Sequence, residues 1–138
     1  MNQSVETMYV DRDIELACLP PVVFPDGIAA AFSVLEQRFP ETGYRNRYGL
    51  SRPEAGGNIL YRAAVELLPD DDFPEGMQRM ILPKGNYAYF NIPDFMNNIS
   101  LIGASFERLT ALSDIDPEGY CIEWYTGTRD LRCMILLK

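Results

Sequence analysis

The residues most able to bind a ligand or to catalyse a reaction lie in the segment Tyr120-Cys121-Ile122-Glu123-Trp124-Tyr125. Aromatic and β-branched side chains follow the turn residues Pro117-Glu118-Gly119, a pattern that is typical of a β-strand. Side chains alternate between the two faces of a strand, so Cys121, Glu123 and Tyr125 should share one face. A carboxylate among large apolar neighbours is costly to bury unless its charge is compensated. A cationic ligand, a protein partner or water could supply that compensation.

Composition excludes several classes of function. The chain has 138 residues, a net charge of −8 and no run of Lys or Arg, which argues against nucleic-acid binding because phosphates need clustered positive charge. It contains no histidine, so catalysis by a His base is excluded. Its three cysteines lack CxxC spacing, so neither a zinc site nor a disulfide framework is expected. We therefore expect neither a metal nor a cofactor.

The sequence also predicts where the protein is found. No apolar stretch approaches the roughly 20 residues of a membrane span. The polar N-terminus lacks the basic-then-apolar pattern of a signal peptide. We expect a cytoplasmic protein without membrane contact, and the sequence leaves its oligomeric state open.

The order of predicted elements repeats along the chain as strand, helix, strand, strand. Repeat one spans about 13–68 and repeat two about 77–138, and they are joined by an acidic, Pro- and Gly-bearing linker at about 69–76 that we expect to be solvated. Each repeat alone has too few strands to bury both sheet faces, so we predict one domain over residues 1–138. The predicted fold class is α+β, with two pseudo-symmetric βαββ repeats, one antiparallel sheet, a helix per repeat and a central ligand cleft.

Each repeat contains one amphipathic helix. The helical stripes consist of Ile28, Phe32, Leu35 and Phe39 in the first repeat and Ile99, Ile102, Phe106 and Leu109 in the second. Asn97 or Asn98 should cap the second helix. Pro20-Pro21 should break the first strand-like run or place it at the edge of a sheet.

Three segments resemble a known family, the GyrI-like domains, which are also the effector-binding domains of AraC-type and MerR-type transcription activators. Ile81-Leu82-Pro83-Lys84-Gly85-Asn86-Tyr87-Ala88-Tyr89-Phe90 resembles the family's Pro-x-Gly-x-Tyr-Ala-x-Phe signature. Ile122-Glu123-Trp124-Tyr125 matches its Glu-x-Tyr strand, and Tyr48-Gly49-Leu50 resembles its glycine-containing strand after the first helix. The resemblance covers nearly the whole chain in order and spacing.

The resemblance implies a function as well as a fold. Family members bind small organic molecules, often lipophilic cations, in a cleft between two βαββ units. Glu123 would be the ligand carboxylate and Tyr125 its neighbour. The activators carry a helix-turn-helix before this domain, for which this chain has no room, so we expect a standalone form. Some standalone relatives sequester toxins or inhibit DNA gyrase, and others hydrolyse cyclopropane-bearing compounds with the same glutamate.

Aromatic side chains could form the wall of such a site, where a cation over an aromatic face gains roughly 0.5–2 kcal/mol. The candidate ligand-binding residues are Glu123, Tyr125, Tyr48, Tyr87, Tyr89, Phe90, Trp124 and Phe106. Trp124 should point away from Glu123 towards a core, and Phe106 belongs to the helical stripe. Tyr87 and Tyr89 share a face, but the sequence does not indicate which face meets the cleft.

Three functions remain open. The favoured one is a small-molecule binding or sensing module. The second is a hydrolase that uses Glu123 as base or nucleophile and a tyrosine, such as Tyr125, as acid. The third is a protein-interaction module with a regulator or gyrase as partner, in which Glu123→Gln should leave partner binding unchanged.

Overall fold

The computed structural model describes residues 4–23, 27–39, 45–53, 59–127 and 129–138. Within these ranges the fold is α+β, as predicted, with antiparallel strands and two α-helices. Neither helix is long and apolar enough to cross a membrane. The chain divides into two compact units, Asp13–Leu82 and Met1–Arg12 with Pro83–Lys138. We name them the α1 unit and the α2 unit after the helix that each contains.

Five strands build the α1 unit. They are β2 (Ile14–Cys18), β3 (Val22–Val23), β4 (Arg47–Pro53), β5 (Ile59–Glu66) and β6 (Gln78–Leu82). Strand β5 pairs with β4, β2 and the short β3, and β2 pairs in turn with β6. Pro20 and Pro21 separate β2 from β3, which confirms the predicted break.

Helix α1 (Ile28–Arg38) covers one face of this sheet. Its predicted apolar stripe packs on β5, where Leu35 and Phe39 are buried together with Tyr61. The Phe32 ring meets the Tyr61 ring edge-on, with 6.2 Å between centroids. Burial of this stripe holds the helix to the sheet.

The absence of a side chain at Gly49 of β4 leaves room for the Tyr61 ring. A Cβ atom at residue 49 would overlap the Tyr61 hydroxyl and the end of its ring. Tyr61 is fully buried, so its ring has little room to move aside. The glycine that the sequence shows after the first helix is therefore needed for close packing.

The acidic segment after β5 is fixed at one of its three aspartates. Arg45 forms a two-pronged ion pair with Asp71, in which Nη2 donates to Oδ1 at 2.8 Å. Asp71 also accepts a hydrogen bond of 2.6 Å from the Leu68 amide. The Arg45 hydrogen bonds, and then the Leu68 amide, lower the pKa of Asp71 to about 2. Of the three aspartates, Asp70 and Asp72 are exposed, as expected for a solvated loop.

Four strands build the α2 unit. They are β1 (Glu6–Val10), β7 (Gly85–Ile92), β8 (Cys121–Tyr125) and β9 (Leu131–Leu136). Strand β7 pairs antiparallel with β1 and with β9, and β9 pairs with β8. Each unit thus includes one strand, β1 or β6, from outside its own strand–helix–strand–strand segment.

Helix α2 (Ile99–Thr110) covers one face of the second sheet. The buried cluster beneath it consists of Ala88, Phe90, Ile92, Leu109, Leu131, Cys133 and Ile135. Asn98 precedes the helix, as predicted, but its side chain does not cap a helix amide. It donates instead to the carbonyls of Asp94 and Pro93 at 3.0 and 3.2 Å, which closes the preceding turn.

Candidate functional site

Strand β8 positions the candidate carboxylate. Glu123 lies opposite Cys133 of β9, and Cys133 lies opposite Phe90 of β7. Paired residues of neighbouring strands project from the same face, so these three side chains form one row across the sheet. Phe90 and Cys133 belong to the cluster beneath α2. Glu123 therefore lies on the face that α2 covers, which we call the α2 face.

The Glu123 carboxylate is buried and hydrogen-bonded. The residue is 7% exposed, and the Tyr125 hydroxyl donates to its Oε1 at 2.9 Å. The Phe95 ring meets the Tyr125 ring edge-on, with 5.7 Å between centroids. Phe95 begins a short 3₁₀ turn, Phe95–Asn97, and its amide donates to the Arg129 carbonyl at 2.9 Å. The turn thus supports Tyr125, which in turn orients the carboxylate.

Apolar and aromatic side chains lie on the same face of the sheet as this pair. Tyr125, Phe95 and Phe106 are half-buried and pack on the cluster beneath α2. Shortly after Phe95 along the chain, Met96 and Ile99 are 67% and 57% exposed, so apolar surface remains accessible at the start of α2. The arrangement offers one carboxylate in apolar, aromatic surroundings, which suits a cation with an apolar body.

Two thiols lie near Glu123. Burial raises the pKa of Cys121, and the charge of Glu123 raises it further. The pKa of Cys133 is raised by the same two causes in the same order, with a smaller contribution from Cys121. Both thiols are therefore protonated at neutral pH and add polarizable surface without charge.

The opposite face of the same sheet carries Tyr87, Tyr89 and Trp124. The Arg132 guanidinium lies 4.2 Å from the Tyr89 ring centroid and 5.1 Å from that of Trp124. Its Nε donates to Asn91 Oδ1 at 2.8 Å. The Tyr87 hydroxyl donates to the Pro83 carbonyl at 2.6 Å. These aromatic side chains thus contact the Arg132 guanidinium or the Pro83 carbonyl, and they do not lie beside Glu123.

Tyr48 belongs to the α1 unit. It is 2% exposed and pairs with Ala64, on the face of that sheet opposite to α1. Of the sequence-predicted site residues, the structure brings four to the α2 face: Glu123, Tyr125, Phe90 and Phe106. It places the other four elsewhere: Tyr48, Tyr87, Tyr89 and Trp124.

Two residues next to the Glu123–Tyr125 pair, Phe95 beside Tyr125 and Cys133 opposite Glu123, were missed from the sequence. Phe95 lies in a turn before α2, where no periodic pattern marks it. Cys133 follows the alternation of its strand, but alternation does not give the register that places it opposite Glu123.

A pocket of about 170 Å³ is not lined by this carboxylate. Its lining consists of Ser4, Glu6, Tyr89, Phe90 and Asn91, at the edge where β1 meets β7. We place the candidate site at Glu123 and not at this pocket, because the buried carboxylate and its hydroxyl partner supply the chemistry. Across the described ranges, no three His, Cys, Asp or Glu side chains cluster in a way that could hold a metal ion.

Comparisons with known proteins support the fold. No family model and no curated protein matches the chain. Several solved structures share its architecture. An integron cassette protein from the mobile metagenome of Vibrio cholerae aligns with a TM-score of 0.64 and 14% identity, over 99% of this chain and 97% of its own.

The protein SAV2435, solved bound to tetraphenylphosphonium, aligns with a TM-score of 0.63 and 12% identity, over 99% and 94% of the two chains. A proposed bacterial transcription regulation protein from Staphylococcus aureus MU50 aligns with a TM-score of 0.55 and 12% identity, over 100% and 99%. At these identities the similarity shows a shared fold and nothing more. The shared architecture confirms the predicted resemblance to the fold of GyrI-like domains.

Proposed function

We propose that the chain binds small organic cations with apolar bodies, with Glu123 as the charge partner and Tyr125 as the group that orients it. One observation carries this proposal: the Glu123 carboxylate is 7% exposed and accepts a 2.9 Å hydrogen bond from Tyr125 within an apolar, aromatic cluster. Charge attraction strengthens where water is excluded, so a cation at this carboxylate would be held more tightly than at the surface.

The surroundings favour a lipophilic cation over a small hydrated one. Phe95, Phe106 and Tyr125 offer aromatic surface, and the protonated thiols of Cys121 and Cys133 are soft neighbours. The similarly folded SAV2435 was solved with tetraphenylphosphonium, a cation of this kind. We assign no ligand contact to Tyr89 and Trp124, because their rings stack on Arg132.

The test is a calorimetric titration with tetraphenylphosphonium. We expect saturable binding of one molecule per chain with a micromolar Kd, and a loss of at least tenfold in affinity in Glu123→Gln, because the charge pair is lost. Tyr125→Phe should weaken binding a few-fold, since it removes the hydroxyl that orients the carboxylate.

The matched control is Glu107→Gln, which removes one charge from an exposed position on α2. It should bind tetraphenylphosphonium as the unaltered protein does. Equal affinities of Glu123→Gln and Glu107→Gln would contradict the proposal, and so would the absence of binding by the unaltered protein.

The same geometry supports a second candidate function, a hydrolase. A carboxylate and a tyrosine hydroxyl 2.9 Å apart lie within the range of proton transfer, so Glu123 could activate water while Tyr125 acts as acid. Mass spectrometry of strained electrophiles incubated with the protein decides the matter. Turnover that Glu123→Gln abolishes supports the hydrolase, and intact compound supports binding alone.

A further inference from the structure

Apart from tyrosines and cysteines, two polar side chains are buried within the described ranges, Glu123 and Ser105. The proposed function accounts for Glu123. Ser105 is 1% exposed, and its hydroxyl has no hydrogen-bond partner among the residues that the structure describes. A buried hydroxyl without a partner destabilises the folded state, so its presence needs an explanation.

The position of Ser105 on α2 aims it at the α2 face. Leu101 and Leu109 lie one helical turn before and after it, and both pack on the cluster that includes Cys133 and Tyr125. Cys133 is the cross-strand partner of Glu123, and Tyr125 is its hydrogen-bond donor. Ser105 and Glu123 thus border the same apolar cluster from the helix and from the sheet.

The hydroxyl of a helical serine or threonine commonly bonds to the carbonyl four residues earlier. Thr110 of the same helix does so, since its Oγ1 donates to the Phe106 carbonyl at 2.8 Å. Ser105 makes no such bond within the described part of the chain. The Ser105 hydroxyl is therefore available to hydrogen-bond with a group that enters between α2 and the sheet.

We propose that Ser105 is the second polar contact of the ligand at Glu123, and that this ligand is an organic cation with a hydroxyl, carbonyl or amine on its apolar body. The inference rests on the proposed function and narrows its ligand class. Glu123 holds the charge, the aromatic side chains hold the apolar body, and Ser105 holds the hydrogen-bonding group. Tetraphenylphosphonium has no hydrogen-bonding group, so Glu123 would be its only polar contact.

Matched phosphonium ions test this division of roles. Tetraphenylphosphonium is compared with the three (hydroxyphenyl)triphenylphosphonium isomers, with the hydroxyl in ortho, meta or para position. The isomer whose hydroxyl reaches Ser105 should lose about five- to tenfold in affinity in Ser105→Ala, the factor expected for one hydrogen bond. The affinity for tetraphenylphosphonium should change less than twofold. Ser100→Ala, at an exposed serine of the same helix, should change neither.

Two results would overturn the inference. If Ser105 is present only because a small residue fits there, Ser105→Ala will change the affinity of no isomer. If it supports the site indirectly, Ser105→Ala will weaken all four ions equally. The Glu123→Gln variant distinguishes failure of the Ser105 inference from failure of the proposed cation binding. Binding that depends on Glu123 but not selectively on Ser105 removes this inference alone, and binding independent of Glu123 removes both.

Discussion

The influence of Glu123 on its neighbours can be measured without any ligand. Cys121 shares its face on β8 and is half-buried, whereas Cys18 and Cys133 are fully buried. Burial raises the pKa of Cys18 to about 12, and burial is also the main cause of the raised pKa of Cys133. An alkylating reagent, which attacks the thiolate, should therefore reach Cys121 first in the folded protein.

We expect Glu123→Gln to accelerate alkylation of Cys121 severalfold at pH 8. The Glu123 charge adds to burial in raising the pKa of the Cys121 thiol, so its removal lowers that pKa and increases the thiolate fraction. Iodoacetamide labelling followed by peptide mass spectrometry measures the rate at each cysteine.

Glu107→Gln, which removes a charge from an exposed position, should leave this rate unchanged. The same rate at Cys121 in both variants would show that the Glu123 carboxylate does not act on the thiol, which would contradict the geometry of the site. Tetraphenylphosphonium at saturation should protect Cys121 if the ion covers this face.

At the scale of elements, Gly49 of β4 packs against Tyr61 of β5, and Tyr61 in turn contacts Phe32 of α1. We expect Gly49→Ala to lower the free energy of unfolding by about 2–3 kcal/mol, because the new methyl group would overlap the buried Tyr61 ring and hydroxyl. Urea unfolding followed by circular dichroism gives the value. The loss should appear as a lower midpoint with an unchanged slope.

Gly103 is the matched control for this substitution. It lies in α2, and a Cβ atom there would have no neighbour within 4 Å among the described residues. Gly103→Ala should therefore stabilise the protein by about 0.5–1 kcal/mol, since alanine favours the helix. An equal effect of the two substitutions would contradict the close packing at Gly49.

The elements themselves were largely predictable from the sequence. Both helices and the order strand, helix, strand, strand in each half follow from periodicity, and the Pro20-Pro21 break was found where expected. Alternation also gave the shared face of Glu123 and Tyr125 in β8. The pattern of a strand therefore indicates which side chains belong together.

The faces and the partners were not predictable, because alternation gives no information about what covers each face. Tyr87 and Tyr89 could equally have faced Glu123, and only the pairing of β7 with β9 places them on the other side. No pattern in the sequence predicts that the Arg132 guanidinium contacts the rings of Tyr89 and Trp124. Asp71 looked like its exposed neighbours, although the distant Arg45 pairs with it. Contacts between residues far apart in the chain decided each case.

At the scale of the whole molecule, the net charge of −8 complicates any test of cation binding. A strongly acidic surface attracts every cation weakly, whether or not a specific site exists. Surface attraction is screened by salt, since the Debye length falls from about 10 Å at 0.1 M to about 3 Å at 1 M. A buried charge pair is screened much less, so ionic strength separates the two kinds of binding.

We therefore expect the affinity for tetraphenylphosphonium to fall less than about fivefold between roughly 0.05 and 0.5 M NaCl, with one ion bound per chain throughout. In Glu123→Gln, any residual binding should be weak, should not saturate at one ion per chain and should vanish at the higher salt concentration. Equilibrium dialysis at both concentrations measures these quantities. If binding by the unaltered protein vanishes at high salt as well, the acidic surface and not the buried carboxylate attracts the cation. Glu107→Gln would then weaken binding as much as Glu123→Gln does, because every surface charge would contribute alike.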